Sequence, residues 1–88
     1  MKPIRFSMHA RENMNYRGAT EEEVAEAIRN TPWNLVQEGR FECRKDFVYG
    51  QDWNGKFYTM KQVRPIFVEE SEEIVVVTVY VYYFNTET

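Results

Sequence analysis

The sequence predicts an α+β domain in which two N-terminal helices pack on one face of a mainly antiparallel sheet of about four strands. Three observations predict this fold class. Signals for the beginnings and ends of helices fill the chain up to Pro32, and after it apolar and polar residues alternate as in strands. Asn54-Gly55, between two aromatic-rich runs, is a strong hairpin signal. The length of 88 residues suits a single domain over 1–88.

The first helix is predicted from Ser7, a common N-cap residue, to about Tyr16. Gly18 follows as the left-handed C-terminal cap. Ahead of this helix, Ile4-Arg5-Phe6 is either a short strand or an extended lead-in.

The second helix is predicted to begin at Thr20, which forms a capping-box pattern with Glu23. Three consecutive glutamates then lie in the first turn, where the helix dipole favours negative charge. Asn30-Thr31-Pro32 ends the helix, because the residue before a proline avoids helical backbone angles. The stripe expected to be buried is Val24, Ala27 and Ile28.

Strands are predicted over 33–38, 41–49, 57–68 and 74–84. Lys45 interrupts the apolar face of the second strand, which indicates a bulge or an edge position there. Pro65 cannot donate to a ladder, so the third strand needs an edge, a bend or a bulge there. Glu69 to Glu73 is expected to be a solvated turn and not a metal site. The last strand is apolar on both faces, which is typical of a central strand. Its odd-numbered positions, mostly valines, are predicted to face the helices.

Charge is distributed in alternating blocks along a chain whose net charge is −3. Residues 1–19 and 40–64 are basic, whereas residues 20–39 and 65–88 are acidic. This pattern excludes a globally basic nucleic-acid binder but leaves room for one basic surface made from the first and third blocks.

Several protein classes and sites are excluded by what the sequence lacks. No apolar run approaches the roughly 20 residues of a membrane span, so we expect no membrane partner. The N-terminus has no apolar signal core, and a single cysteine fits a reducing compartment, so a cytoplasmic location is expected. Cys43 itself is predicted to be a buried small hydrophobe rather than a reactive thiol. With one histidine and one cysteine, a His/Cys zinc site within the chain is excluded, and we expect no metal or cofactor.

One stripe of the first helix carries the only side chain that titrates near neutrality. On a helix, His9, Glu12, Asn13 and Tyr16 share one side, at offsets of 0, 3, 4 and 7. The stripe is either a chemical site, a solvated face, or a histidine that packs on the sheet.

The same segment carries a family resemblance. The runs Phe6–Ala10 and Arg17–Thr20, with Ala27-Ile28 and a late Val77–Tyr80, resemble a bacterial and archaeal family of uncharacterised small domains. That family opens roughly as Ser-x-His-Ala, Met, Arg-Gly-Ile-Ser and is grouped with the RelE/ParE-like fold, which includes toxin ribonucleases and gyrase poisons. Asn13 stands where the family often has arginine.

The resemblance implies a RelE/ParE-like fold and a metal-independent endoribonuclease acting on RNA. Such an enzyme needs an acid or base and cations that stabilise the phosphate charge. His9 is the candidate for the first role, and Tyr80 could stack a base. Candidates for the phosphate contacts are Arg17, Arg44, Lys61 and Arg64.

Other functions remain open from the sequence. The chain could be a non-catalytic module of the same fold that binds an antitoxin-like protein, or that forms a homodimer through the aromatic sheet face. It could also be a degenerate accessory domain. Each basic residue can equally be an ordinary surface charge. Tyr80 and Tyr82 can equally belong to the core or to a partner-binding face.

Overall fold

The computed structural model describes residues 2–86, which form two helices and a six-stranded mixed sheet. The elements in chain order are β1 (Ile4–Phe6), α1 (Met8–Arg17), α2 (Glu21–Asn30), β2 (Asn34–Gln37), β3 (Arg40–Glu42), β4 (Lys45–Trp53), β5 (Lys56–Glu69) and β6 (Ile74–Phe84). The strand order is β1-β6-β5-β3-β2, with β4 also paired to β5. Among these strands β1 runs parallel to β6, and the other pairs are antiparallel.

The prediction of about four strands in a mainly antiparallel sheet is therefore wrong. The segment 4–6 is a strand, because Ile4 and Phe6 lie opposite Ile74 and Val76 of β6. The predicted strand over 41–49 breaks at Cys43-Arg44 into β3 and β4. β3 and β4 both pair with the same edge of β5, at neighbouring positions along it. The chain leaves the sheet only at Cys43-Arg44, between the two strands.

The predicted helix boundaries are confirmed. The Ser7 hydroxyl accepts a hydrogen bond from the Ala10 amide, and Gly18 has the left-handed φ of 82°. Thr20 and Glu23 form the reciprocal capping box. These signals fix the helices locally, and both helices pack on one face of the sheet, α1 against β6 and α2 against β5. The core between the layers includes Ala10, Met14, Val24, Ala27, Ile28, Cys43, Val63, Phe67, Val76 and Val79.

Pro65 lies inside the sheet, on the central strand β5, and not at its edge. Its Cα partner on β6 is Val79. The Val79 amide and carbonyl bond to side chains of α1, so Pro65 and Val79 exchange no backbone hydrogen bonds. The backbone nitrogen of Pro65, which lacks a hydrogen, therefore points to the opposite edge of β5. On that edge the nitrogen faces the break between β3 and β4 at Cys43-Arg44, where no backbone hydrogen bond from residue 65 is required.

A bulge at Val77 changes which side chains of β6 face the helices. Phe67 lies opposite Val76, and Ile66 lies opposite Thr78, which leaves Val77 as the extra residue. Ile74 and Val76 therefore face the core before the bulge, and odd-numbered residues from Val79 onward face it afterwards. The prediction of one odd-numbered valine face holds only after the bulge. β6 is also central only at residues 74–76, because β1 is short.

Candidate nucleic-acid interface

The face of the sheet opposite the helices is uncovered among residues 2–86. Its side chains form rows across the strands, set by the register of β4, β5 and β6. One row joins Asp46, Gln62 and Tyr82, and the next joins Arg64 and Tyr80. Tyr80 is 37% exposed and Tyr82 is 45% exposed, so both aromatic rings are accessible from solvent.

Two guanidinium groups converge on Tyr80. The Arg17 Cζ lies 4.9 Å from the centre of the Tyr80 ring, and the Arg64 Cζ lies 5.4 Å from it. Arg17 comes from the last turn of α1 and is held there because its Nη1 donates to the Val79 carbonyl at 2.7 Å. Arg64 comes from β5 as the direct cross-strand neighbour of Tyr80. Three elements thus build one cation–aromatic site, and each guanidinium keeps donors free for an anion.

Glu42 of β3 orients two of the arginines. Its side chain is 10% exposed, and its Oε1 accepts from the Arg64 Nε at 2.5 Å and from the Arg44 Nε at 3.3 Å. Asn34 donates to the other carboxylate oxygen at 3.3 Å. The hydrogen bond from Arg64 lowers the pKa of Glu42, and the same bond raises the pKa of Arg64. Glu42 is therefore ionised near neutrality and holds Arg64 and Arg44 in position.

A shallow cleft of about 200 Å³ adjoins this site. Its walls combine apolar side chains, an amide, an aromatic ring and two cations, which suits a flat polar heterocycle beside an anion. The lining residues are Val36, Gln37, Arg40, Arg64, Ile66 and Tyr80. We call Arg17, Arg40, Glu42, Arg44, Arg64 and Tyr80 the arginine–tyrosine cluster.

Of the site residues predicted from the sequence, Arg17, Arg44 and Tyr80 meet in this cluster, as does Arg64. Lys61 does not. It is 6% exposed on the helix side of β5, where its Nζ donates to the Gly18 carbonyl at 2.7 Å and pairs with Glu23 at 2.8 Å. Those bonds tie β5 to both ends of the α1–α2 connection, so Lys61 has a structural position.

His9 is exposed on α1 and, within residues 2–86, makes no side-chain hydrogen bond or ion pair. The stripe predicted from helical spacing splits, because Asn13 is buried against β6 and its Oδ1 accepts from Thr78 and from the Val79 amide. Asn13 therefore belongs to the α1–β6 contact, while His9 and Tyr16 face solvent.

Sequence reasoning missed Arg40 and Glu42. Their signal was weak, because a predicted strand over 41–49 does not reveal that the Glu42 carboxylate is buried. The break after Glu42 and the pairing of β3 with β5 create that burial, and both depend on contacts distant in sequence.

Comparisons of this chain with protein-family models, with curated proteins and with solved structures found no match. The RelE/ParE-like resemblance stays a prediction. Across residues 2–86 no cluster of three or more His, Cys, Asp or Glu side chains could hold a metal ion. Neither helix in that part of the chain is long and apolar enough to cross a membrane.

Proposed function

We propose that this domain binds single-stranded RNA on the open face of its sheet, with a base stacked on Tyr80 and phosphates held by the surrounding arginines. One observation carries the proposal: guanidinium groups from two different elements lie 4.9 and 5.4 Å from the ring of one exposed tyrosine. Aromatic stacking combined with arginine contacts is the common mode of binding for single strands, whose bases are free to stack.

Local charge supports this proposal even though the whole chain is acidic. Four arginines and one glutamate give the arginine–tyrosine cluster a net charge of +3, against −3 for the chain. The glutamate-rich segments lie elsewhere, in the first turn of α2 and in the turn between β5 and β6. A phosphate backbone would therefore be attracted to one face, because phosphate contacts dominate nucleic-acid affinity.

The stacking contribution is tested by removing the aromatic ring. We expect Tyr80→Ala to weaken binding of a short labelled oligouridine by about 5- to 150-fold, since stacking is worth about 1–3 kcal/mol per base. Fluorescence anisotropy at fixed ionic strength gives the affinities. Phe57→Ala is the matched control, because Phe57 is 52% exposed at the distant β4–β5 hairpin. Equal affinities for wild type and Tyr80→Ala would reject the proposal.

A second pair of variants separates local from general charge. Arg40 lines the cleft, whereas Arg29 is an exposed cation in the last turn of α2. Arg40→Gln should reduce the slope of log K against log salt by about 0.7, the value for one phosphate contact on a single strand. Arg29→Gln, with the same change in net charge, should leave the slope unchanged.

Cleavage of the bound RNA is the finer form of this proposal. Without a metal, the 2′-hydroxyl attacks the adjacent phosphorus, a base takes its proton, and an acid protonates the leaving 5′-oxygen. His9 is the predicted group for proton transfer, and its side chain is exposed on α1.

Cleavage is tested in the presence of EDTA. We expect 2′,3′-cyclic phosphate products from wild type and at least about a hundredfold slower release from His9→Ala, the usual scale for general acid–base catalysis. Met8→Ala is the control, because Met8 is the exposed neighbour on the same helix. Uncleaved RNA that still binds would reject cleavage and leave the binding proposal standing.

The predicted protein partner, whether antitoxin-like or a second copy through the aromatic sheet face, is the alternative. Its support is the apolar row of Val48, Met60 and Phe84, in which Val48 is 85% exposed and the other two are partly buried. The neighbouring rows carry Asp46, Gln62 and Arg64, so the remainder of the face is polar and fits RNA better. Val48→Lys should leave RNA affinity unchanged if this row serves a protein instead.

A further inference from the structure

Within residues 2–86, the outer edge of β6 is a free strand edge beyond Val76. β5 pairs with one edge of β6 from Ile74 to Phe84, but β1 covers the other edge only from Ile74 to Val76. Within residues 2–86, no strand pairs with the outer edge beyond this point.

Helix α1 satisfies the first part of that edge. The Ser7 hydroxyl donates to the Val77 carbonyl at 3.3 Å. The Val79 amide donates to the Asn13 Oδ1 at 3.3 Å, and the Val79 carbonyl accepts from Arg17 at 2.7 Å. Both backbone groups of Val79 thus point outward, away from β5.

The groups that follow have no such partners. Outward and inward directions alternate along an antiparallel strand, so the backbone groups of Val81 and Tyr83 point outward like those of Val79. In the described part of the chain no side chain or backbone group bonds to them. Two donors and two acceptors are therefore available at this edge.

The other free edges carry features that oppose pairing, and this one does not. β4 has a bulge between Val48 and Gln51 and carries Lys45, Asp46 and Asp52. β2 is four residues long, with its own irregularity. The segment 79–84 has no charge, no proline and no bulge. Charges, bulges and short length are the usual means by which proteins protect strand edges.

We propose that two copies of this chain associate by antiparallel pairing of their outer β6 edges, with a twofold axis at Tyr82. The outward residues Val81 and Tyr83 flank Tyr82 symmetrically. A twofold axis there places Val81 of each copy opposite Tyr83 of the other, and these two pairs form four backbone hydrogen bonds. A shift of one residue would oppose groups that point toward β5. An axis at Val81 would bring Tyr83 opposite Val79, whose backbone groups already bond to α1, and an axis at Tyr83 would bring Val81 opposite Asn85, beyond the end of β6. The axis at Tyr82 therefore pairs the most free groups.

A second copy fits this edge for two further reasons. β6 is apolar on both faces, as is typical of a strand inside a sheet, and pairing would give it neighbours on both edges. It would also place Tyr82 opposite Tyr82 and Tyr80 opposite Phe84 on the open face, where cross-strand aromatic pairs are favourable. The two Tyr80 positions would lie about 14 Å apart along the paired strands.

The pairing predicts a concentration-dependent mass. Sedimentation equilibrium from about 1 µM to about 1 mM should show conversion from one chain of 10.6 kDa to twice that mass. Under the same conditions the amides of Val81 and Tyr83 should exchange more slowly with solvent as the concentration rises. A single-chain mass over the whole range would overturn the proposal.

The position of the axis is tested by charge swapping. Tyr82→Lys and Tyr82→Glu should each weaken self-association by at least about tenfold, because the axis opposes like charges directly. An equimolar mixture of the two variants should restore the dimer, since opposite charges then meet. Gln62→Lys is the control in the same row but on β5, and it should leave the mass unchanged. If the mixture remains monomeric while both variants are folded by circular dichroism, the twofold axis at Tyr82 is rejected.

Discussion

Gly18 shows how much one residue position constrains this fold. Its φ of 82° ends α1, and its amide donates to the Met14 carbonyl at 2.8 Å. A Cβ placed on Gly18 would overlap the Tyr83 hydroxyl and approach the Trp53 ring to 2.9 Å. The Tyr83 hydroxyl donates to the Arg17 carbonyl at 2.6 Å, and burial raises the pKa of Tyr83 to about 12, which keeps that donor protonated.

We predict that Gly18→Ala lowers the free energy of unfolding by about 1–3 kcal/mol from the left-handed backbone, with a further loss from the Tyr83 and Trp53 overlap. Gly39→Ala is the matched control, because Gly39 has a φ of 75° and open space around its Cα. Urea unfolding of both variants separates the two causes. Equal losses would show that packing around Gly18 contributes nothing.

At the scale of elements, Glu42 joins β2, β3 and β5. It bonds to Asn34 of β2 and to Arg64 of β5, and it also orients Arg44. Because Arg64 holds the folded-state pKa of Glu42 below its ordinary value of 4.5, the bond stabilises the fold above that pH. The contribution is lost as the pH falls through the lowered pKa of the folded state.

We predict that Glu42→Gln lowers the free energy of unfolding at pH 7 by about 1.5–3 kcal/mol, the range for charge-assisted hydrogen bonds. The difference from wild type should shrink as the pH falls below 4.5, and it should be lost once the pH has passed through the lowered pKa of folded Glu42. Urea unfolding at several pH values measures both quantities. Glu73→Gln, which breaks the exposed pair with Arg5, should have a much smaller effect because solvent screens that pair. A Glu42→Gln loss independent of pH would contradict the role of the ion pair.

Elements bounded by local chemistry were predictable, and elements decided by pairing were not. Ser7, Gly18 and Thr20 ended or began helices as their side chains and backbone freedom require. Asn54-Gly55 turned a hairpin, with a positive φ at both residues. Lys45 indicated an irregularity close to the break after Glu42, but not a division into two strands. The bulge at Val77 has no local signature, because it accommodates β5 and α1, which lie far away in sequence.

At the scale of the molecule, the same distinction applies to the candidate site. Arg17, Arg44, Arg64 and Tyr80 were singled out as residue types, but their meeting depends on register, which places Arg64 opposite Tyr80. Lys61, three residues earlier on β5, faces the helices instead. The basic segment 40–64 groups Lys61 with Arg64 in sequence. In the structure they lie on opposite faces of β5.

The architecture gives the two faces of the sheet different roles in our account. One face carries the helices and the apolar core, and the other presents the arginine–tyrosine cluster to solvent. Pairing of β6 edges would extend the open face across two copies and align their clusters on one surface. RNA binding rests on the Tyr80 ring and the arginines, whereas self-association rests on the backbone groups of Val81 and Tyr83, so either can fail without the other.

The most direct test of the central claim is to titrate ¹⁵N-labelled protein with short single-stranded RNA and map the amide shifts. The account predicts perturbations around Tyr80, Arg64, Glu42 and Gln37, with little change along the exposed side of α2. Perturbations confined to α2 or to the β4–β5 hairpin, or no perturbation at millimolar RNA, would contradict it.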